Sequence, residues 1–184
     1  MERDAATSTL AIGDRAPYFS LSATDGKIYS VASFAQFPVL VVVFTCNHCP
    51  YARAYEKRLV TISREFADRG VQFVAICAND PEGFPQDSFE MMIERSKELG
   101  FPFPYLHDKE QIAARAYDAA CTPEVYVFNA ERQLVYHGAV DDNHQDESRV
   151  TKAFLRDALE AALKNTMPPE QETSVIGCSI KWRE

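Results

Sequence analysis

The stretch from residue 39 to residue 51, VLVVVFTCNHCPY, carries the pattern that decides the fold. Its first six residues, Val39–Phe44, form an unbroken apolar and mostly β-branched run, which is typical of a strand buried on both faces. Cys46 and Cys49 follow three positions apart, and Pro50 comes directly after them. Proline suits the first turn of a helix, where no backbone N–H is needed. The two thiols are therefore expected where a strand passes into a helix.

The segments after the cysteines predict a β-helix-β unit. Between Pro50 and Arg69 the apolar residues recur every three or four positions, as on one face of a helix, and Gly70 follows as a stop. Residues 71–78 form a second apolar run, which predicts a parallel strand reached by a right-handed crossover. Strand and helix patterns continue to alternate along the chain, and this alternation indicates an α/β layer fold.

Shorter signals predict the remaining elements. They are a hairpin over 18–31 that turns at Asp25-Gly26, a helix opened by Asp87 and Glu90 as a capping pair and ended at Gly100, a short helix over 108–118, strands over 125–129 and 133–138, and a last helix over 148–164.

Length and composition predict one globular domain over residues 1–184, with an N-terminal arm over 1–11 and a C-terminal tail over 166–184. The formal charge of −8 argues against nucleic acid or an anionic membrane as the main partner. The longest apolar run is far shorter than the roughly 20 residues that a membrane-spanning helix needs. The polar N-terminus lacks the pattern of a secretory signal, which predicts a cytoplasmic protein.

Five cysteines are too few, and odd in number, for a structural disulfide framework, so a close pair points to chemistry. Thiols at positions i and i+3 at a helix start lie within reach of a disulfide, and the helix N-terminus favours thiolate over thiol. His48, if protonated, adds to that effect. We expect Cys46, at the end of the strand, to be the exposed attacking thiol. We expect Cys49, in the first helical turn, to be more buried and to resolve the mixed disulfide.

Two other interpretations of the pair stay open. The cysteines can be inert packing residues, or part of a zinc site together with His48. A closed zinc site needs four ligands, and the spacing of the remaining cysteines and histidines does not supply a second matching pair. The prediction is therefore a redox pair with no metal and no cofactor.

Thr122-Pro123 stands just before the predicted strand that begins at Val125. Bonds that precede proline are the ones that adopt the cis form at modest cost. From the residues alone, this is either an ordinary trans turn or a loop with a specific task.

Four segments together resemble the peroxiredoxin-like, thiol-disulfide-exchange branch of the thioredoxin superfamily, of the alkyl hydroperoxide reductase/thiol-specific antioxidant type. The resemblance spans nearly the whole chain, from Ile12 to Trp182. The segments are IGDRAPYFSLSATDGKIYSVASF (12–34), VVVFTCNHCPY (41–51), CTPEVYVFNAERQLVYHG (121–138) and IGCSIKW (176–182).

The resemblance implies a thioredoxin fold, with a central mixed β-sheet flanked by helices, an N-terminal hairpin extension and a C-terminal tail. It implies that Cys46 and Cys49 are the redox pair. It also implies that Thr122 and Pro123 form a cis-proline loop, whose backbone pairs with an extended substrate segment by strand addition.

The sequence departs from the family at two positions. Thr45 stands where thioredoxins usually have tryptophan, so we expect it to tune the neighbouring thiol. Leu40 stands near the place of thioredoxin's buried acid, which leaves no evident proton acceptor for Cys49.

The peroxiredoxin pattern P-x-x-x-T/S-x-x-C matches in neither register. Aligned on Cys49, it places Cys46 at the hydroxyl position and Val42 at the proline; aligned on Cys46, it requires residues that the chain lacks. Cys49-Pro50 nevertheless resembles a peroxidatic Cys-Pro pair, which keeps hydroperoxide reduction open.

Cys121 and Cys178 are further thiols, with either a resolving role or the commoner role of small buried side chains. The resulting hypothesis is a cytoplasmic thiol-disulfide oxidoreductase that acts on protein or small-molecule disulfides. A thiol-dependent peroxidase and a non-catalytic binding protein are the alternatives.

Overall fold

The computed structural model describes residues 9–183 and, by their backbone, residues 2–3. Much of the predicted N-terminal arm therefore lies outside the described residues. The described helices are α1 (Pro50–Ala67), α2 (Phe89–Leu99), α3 (Ile112–Ala116) and α4 (Phe154–Leu163). The described strands are β1 (Glu2–Arg3), β2 (Ser20–Ala23), β3 (Ile28–Ser30), β4 (Val39–Phe44), β5 (Val71–Cys77), β6 (Tyr105–His107), β7 (Cys121–Thr122), β8 (Glu124–Phe128), β9 (Leu134–Gly138), β10 (Val175–Ile176) and β11 (Cys178–Ser179).

A seven-stranded mixed sheet has the order β3-β2-β6-β5-β4-β8-β9. β5 runs parallel to both β4 and β6, whereas β8 pairs antiparallel with β4 and β9. The predicted hairpin is present as β2 and β3, and β2 also pairs with β6, so the hairpin forms one edge of the main sheet. The central mixed sheet flanked by helices is the architecture that the resemblance implied.

β4 occupies the middle of this sheet, and its side chains alternate between two apolar cores. Its odd-numbered residues lie in the core covered by α1 and α4, and its even-numbered residues lie in the core that contains Tyr117 and Tyr126. No residue of β4 is more than 2% exposed. The prediction of a strand buried on both faces is confirmed, and this burial holds the end of the strand, and the thiols after it, in a fixed place.

The last predicted helix is wrong over its first six residues, 148–153. A short 3₁₀ turn spans Glu147–Arg149, Val150 is extended, and α4 begins only at Phe154. The Asp142 carboxylate accepts the backbone N–H of Thr151 at 2.9 Å. That bond competes with helix formation, because it gives this backbone donor a partner outside a helix.

The opening of α2 also differs from the prediction. Ser88, not Asp87, is the N-cap residue, and its hydroxyl accepts the backbone N–H of Met91 at 3.3 Å. Asp87 lies in a preceding 3₁₀ turn and is fully buried. The expected stop at Gly100 is present, with the residue in the left-handed conformation.

Residues 166–183 fold back along the body of the molecule. β10 pairs with β1, and β11 pairs antiparallel with β7. Val175 and Ile180 are 1% and 3% exposed, so the segment is anchored by buried side chains on both sides of Cys178. Among the described helices, none has the length and apolar character needed to cross a bilayer.

Candidate active site

The turn between β4 and α1 carries both cysteines. Cys49 immediately precedes the helix, with an extended backbone (φ −68°, ψ 124°), and Pro50 is the first helical residue. The prediction that Cys49 lies within the first helical turn is therefore wrong, because a residue before proline avoids the helical region. The sulfur of Cys49 still lies at the helix N-terminus, where it accepts the backbone N–H of Ala52.

Both sulfurs are covered by the rest of the fold. Cys46 is 2% exposed and Cys49 is 0% exposed, so the predicted exposure of Cys46 is wrong, although Cys49 is the more buried of the two. Thr122 supplies part of the cover. Its hydroxyl lies 3.4 Å from the Cys46 sulfur, and its carbonyl oxygen lies 3.3 Å from the Cys49 sulfur.

The groups around Cys49 stabilise its thiolate. The Cys46 thiol donates a hydrogen bond to the Cys49 sulfur and lowers the pKa of Cys49 against the opposing effect of burial. The Cys178 thiol and the Ala52 N–H lower it further. In its protonated form Cys49 instead donates to the Thr122 carbonyl. Several donors outweigh that single acceptor, so the pKa of Cys49 falls below that of an ordinary thiol.

Cys46 is shifted in the opposite direction. The hydrogen bond that it donates to Cys49 raises the pKa of Cys46 far above the ordinary range, and burial and the negative charge of Asp87 raise it further. A thiol that donates to a neighbouring thiolate loses that bond if it ionises, which is the physical cause of the separation. The first negative charge therefore belongs to Cys49, whereas the sequence pattern suggested Cys46.

Asp87 organises the turn from the opposite side. Its carboxylate accepts the backbone N–H of Asn47 at 2.7 Å and the side-chain amide of Asn79 at 2.7 Å. The Nδ1 atom of His48 is also hydrogen-bonded to it. Asp87 is thus the buried acid beside the thiol pair, although it comes from a different segment than the one in which thioredoxin carries its acid. The sequence suggested only a helix cap, because a capping aspartate and a buried one look alike locally.

His48 lies between Asp87 and the solvent. Its ring stacks on Phe84, with 5.2 Å between ring centres, and its side chain is 22% exposed. Polar atoms of Cys46, His48 and Asp87 all lie within 4.8 Å of one another, and their chemical types suit a metal ion. The Asp87 oxygens already accept hydrogen bonds from Asn47 and Asn79 and are bonded to His48, so Asp87 and His48 are also accounted for as part of an internal network.

Thr45 continues the sheet rather than the turn. Its backbone N–H donates to the Ile76 carbonyl at 2.9 Å, and the residue is 6% exposed. It therefore extends the pairing of β4 with β5 by one residue and places Cys46 just beyond the carboxyl end of β4.

The loop that faces the thiols contains a cis peptide bond between Thr122 and Pro123, as the resemblance implied. Glu124, directly after it, is fully buried. Its carboxylate accepts the backbone N–H groups of Ala120 and Cys121 at 2.8 and 3.0 Å and is bonded to His137 at 2.7 Å. The sequence pattern did not identify Glu124, since one acidic residue in an apolar strand does not reveal which backbone groups it will reach.

The two further thiols differ in position. Cys121 is fully buried. Cys178 is partly buried, packs against the core that contains Cys46 and Cys49, and lies close enough to Cys49 to lower the pKa of that thiol. Cys178 also lies opposite Thr122 in the β7–β11 pairing. The backbone edge expected to receive a substrate strand is thus occupied by this chain's own tail.

Comparison with known proteins agrees with this architecture. Residues 12–137 match the model of the AhpC/TSA family. The chain belongs to the AhpC/TSA family. The resemblance found in the sequence segments is confirmed, and family membership places the chain among the redoxins, the thioredoxin-like oxidoreductases. A comparison with curated protein sequences found no match.

Solved structures extend the comparison of this AhpC/TSA protein. An uncharacterized conserved protein from Geobacillus kaustophilus is 41% identical, with a TM-score of 0.90 over 96% of this chain and 95% of that chain. Peroxidoxin BcpB from Mycobacterium tuberculosis is 16% identical (TM-score 0.64, over 85% and 97%). A thiol:disulfide interchange protein from Chlorobium tepidum TLS is 23% identical (TM-score 0.64, over 83% and 98%). The last two share the fold of this chain.

Proposed function

We propose that this AhpC/TSA-family protein is a thiol-disulfide oxidoreductase that cycles between the dithiol and a Cys46–Cys49 disulfide. One observation carries the proposal: Cys49 lies at the N-terminus of α1, where unpaired backbone N–H groups stabilise a thiolate, and Thr122 contacts the sulfurs of both cysteines. Thiolate is the nucleophile in disulfide exchange, so this arrangement supports attack by Cys49. The roles are the reverse of those that the sequence pattern suggested.

The proposed reaction has two exchange steps. The Cys49 thiolate attacks a substrate disulfide, forms a mixed disulfide and releases the first substrate thiolate. Cys46 then loses its proton and attacks the Cys49 sulfur, which forms the Cys46–Cys49 disulfide and releases the second substrate thiolate. Two electrons pass from the enzyme to the substrate, and the reverse sequence oxidises a substrate dithiol.

His48 is the proposed acceptor of the Cys46 proton in the second step. A nitrogen of its ring lies within 4.8 Å of the Cys46 sulfur, and Asp87 orients the ring through Nδ1. A base held by a carboxylate beside a thiol is the usual arrangement for activating a sulfur nucleophile. The partly exposed ring then passes the proton to solvent.

The cover over the site restricts the substrate. Neither cysteine residue is more than 2% exposed, and the tail already pairs with the backbone of Thr122. An extended protein strand therefore finds its pairing edge taken. We infer that the substrate is a small-molecule disulfide or one on a flexible segment that does not rely on strand addition.

Reduction of a hydroperoxide is the second candidate. The observation that favours it is a thiolate-stabilised Cys49 at a helix start, followed by Pro50. In that reaction Cys49 attacks the peroxide oxygen and becomes a sulfenic acid while an alcohol leaves. Attack by Cys46 on that sulfur then releases water and forms the same disulfide.

The test follows reduction of glutathione disulfide and of hydrogen peroxide side by side, with dithiothreitol as the electron donor. Cys49→Ala is expected to abolish both reactions. The double variant Cys46→Ala/Cys178→Ala, which lacks both thiols beside Cys49, is expected to stop with glutathione attached to Cys49 when it is treated with glutathione disulfide alone, without dithiothreitol. Cys121→Ala, which removes a different buried sulfur, is the matched control and is expected to retain turnover.

Three outcomes separate the candidates. Glutathione attached to Cys46 in the Cys49→Ala variant, at the wild-type rate, would refute the order of attack. Peroxide turnover that survives Cys46→Ala, in a protein inactive towards glutathione disulfide, would establish the peroxidase instead. Bound zinc that is released by a thiol-blocking reagent would refute both candidate reactions in favour of a zinc-binding protein.

A further inference from the structure

The tail reaches the thiol pair by adding a strand to the cis-proline loop. β11 pairs antiparallel with β7, with Cys178 opposite Thr122 and Ser179 opposite Cys121. An extended segment that binds in this way presents its side chains to pockets beside the edge that it pairs with. Cys178 is therefore in the place where strand addition would put a residue of a bound substrate.

Gly177 permits this close approach. A Cβ atom on residue 177 would lie 2.3 Å from the carbonyl oxygen of Thr122, a distance that non-bonded atoms do not tolerate. The residue before Cys178 must therefore be glycine for the backbone of the tail to lie this close to the backbone of the loop. The contact is between backbones, so a side chain at 177 cannot relieve it by rotating away.

The tail is fixed on both sides of Cys178. Before it, Val175 is buried, and after it the backbone N–H of Ile180 donates to the Ala120 carbonyl at 2.9 Å. The backbone N–H of Lys181 donates to Asn79 at 2.8 Å, and Asn79 also binds Asp87. The anchoring joins the tail to the turn that carries the thiols.

The side chain of Cys178 lies beside Cys49. It packs on the core cluster that contains Cys46 and Cys49, and burial and the neighbouring Cys49 raise the pKa of the Cys178 thiol. Cys49 thus has one thiol neighbour from its own turn and a second from the tail. Thiol-disulfide exchange requires only that an attacking sulfur reach one sulfur of the bond.

We propose that Cys178 is a third redox thiol, an internal substrate held in the substrate-strand position of the cis-proline loop. The Cys178 thiolate attacks the Cys49 sulfur of the Cys46–Cys49 disulfide, forms a Cys49–Cys178 disulfide and releases the Cys46 thiolate. One S–S bond breaks and one forms, and the proton of Cys178 passes to Cys46, so no outside oxidant enters. The proposal rests on the proposed function, because the Cys46–Cys49 disulfide supplies the bond.

Peptide mapping after oxidation distinguishes the two disulfides. The protein is oxidised with glutathione disulfide, its remaining thiols are blocked, and it is digested with trypsin. Cys46 and Cys49 share the tryptic peptide 28–53, whereas Cys178 is in 165–181 and Cys121 in 116–132. The Cys46–Cys49 bond is therefore internal to one peptide, and the Cys49–Cys178 bond links two.

We expect wild-type protein to yield both products, Cys46→Ala to yield the 28–53/165–181 pair, and Cys178→Ala to yield only the internal disulfide. Cys121→Ala, the matched control, should leave the wild-type distribution unchanged. If Cys46→Ala leaves Cys178 unlinked while Cys178→Ala forms the internal bond, the inference fails and the proposed function stands. If Cys178→Ala forms no internal bond, the proposed function itself fails.

A second variant tests the geometry without removing a sulfur. Gly177→Ala places a methyl group against the Thr122 carbonyl and should slow formation of the linked peptides by on the order of 100-fold, as expected for a misplaced reacting group. Gly83→Ala is the control, since its new Cβ would be no closer than 3.8 Å to a neighbour. Equal linking rates in the two glycine variants, or a linked product that runs as a covalent dimer, would overturn the proposal.

Discussion

Two turns meet at the thiol pair, and each is held by a fully buried carboxylate that is bonded to a histidine. Asp87 holds the turn of Cys46 and Cys49 through Asn47, and Glu124 holds the cis-proline loop through Ala120 and Cys121. The difference lies in the histidines. The side chain of His48 is 22% exposed, whereas that of His137 is 0% exposed.

This difference separates a structural pair from one suited to chemistry. A buried carboxylate and histidine that see no solvent contribute by satisfying each other and the nearby backbone, and breaking such a pair leaves an uncompensated charge in the core. A histidine that touches solvent can pass a proton outward after taking it from a neighbouring group. The same two residue types therefore serve different purposes in the two turns.

The largest expected effect is on stability, at Glu124. Glu124→Ala removes the partner of His137 and of two backbone N–H groups, and should lower the free energy of unfolding by about 3–5 kcal/mol. Urea denaturation measures it. Glu160→Ala, which breaks an exposed ion pair with Arg69, is the control and should change little. Equal losses in the two variants would contradict a structural role for Glu124.

The next effect is on the reaction, at His48. His48→Ala should slow the second exchange step about 100-fold, because the Cys46 proton loses its acceptor, while stability falls by only about 1 kcal/mol. Release of the mixed disulfide in rapid-quench experiments measures the step. His144→Ala, whose ring contacts Tyr51, is the matched histidine control. An unchanged rate in His48→Ala would remove the histidine from the mechanism.

The Glu124 pair also predicts a pH dependence of stability. Burial alone would raise the pKa of Glu124, but hydrogen bonds from His137 and from the Ala120 and Cys121 N–H groups outweigh it, and the pKa falls below its usual 4.5. A carboxyl group whose pKa is lower in the folded protein than in the unfolded chain stabilises the fold at pH values above its unfolded pKa. This contribution is lost as the pH falls through its folded pKa.

The difference in urea midpoint between wild type and Glu124→Gln should therefore be constant above about pH 5.5. It should become smaller below pH 4.5. A difference that grows on acidification would show that the carboxyl group is not ionised in the folded protein.

The smallest expected effect is a change in the pKa of the Cys46 thiol. The charge of Asp87 raises the pKa of Cys46, so Asp87→Asn should lower that pKa. Alkylation of Cys46 by iodoacetamide, followed against pH by mass spectrometry of tryptic peptide 28–53 in a Cys49→Ala background, isolates Cys46, because it is then the one thiol of that peptide. Asp80→Asn, whose side chain contacts Arg183, serves as the control. A pKa that stays the same in Asp87→Asn would show that the charge does not reach the sulfur.

The sequence predicted most of the scaffold, and its errors have local causes. β4 was predicted at its observed bounds, because an apolar, mostly β-branched run of six residues has the length of a buried strand and is too short for a buried helix. The prediction of the last helix is wrong over residues 148–153, where Asp142 supplies a competing acceptor to Thr151 from nine residues away. The prediction of Asp87 as the cap of α2 is wrong, because its partners Asn47 and His48 are 40 and 39 residues distant in the sequence.

By itself the sequence determined that two thiols stand where a buried strand meets a helix, because apolar periodicity and the position of a proline are local properties. The tertiary structure decided which sulfur carries the negative charge and what covers it. The groups responsible, Asp87, Thr122 and Cys178, come from three distant segments. A thiol's acidity depends on the donors and charges within a few ångströms of its sulfur, and folding alone brings those groups together.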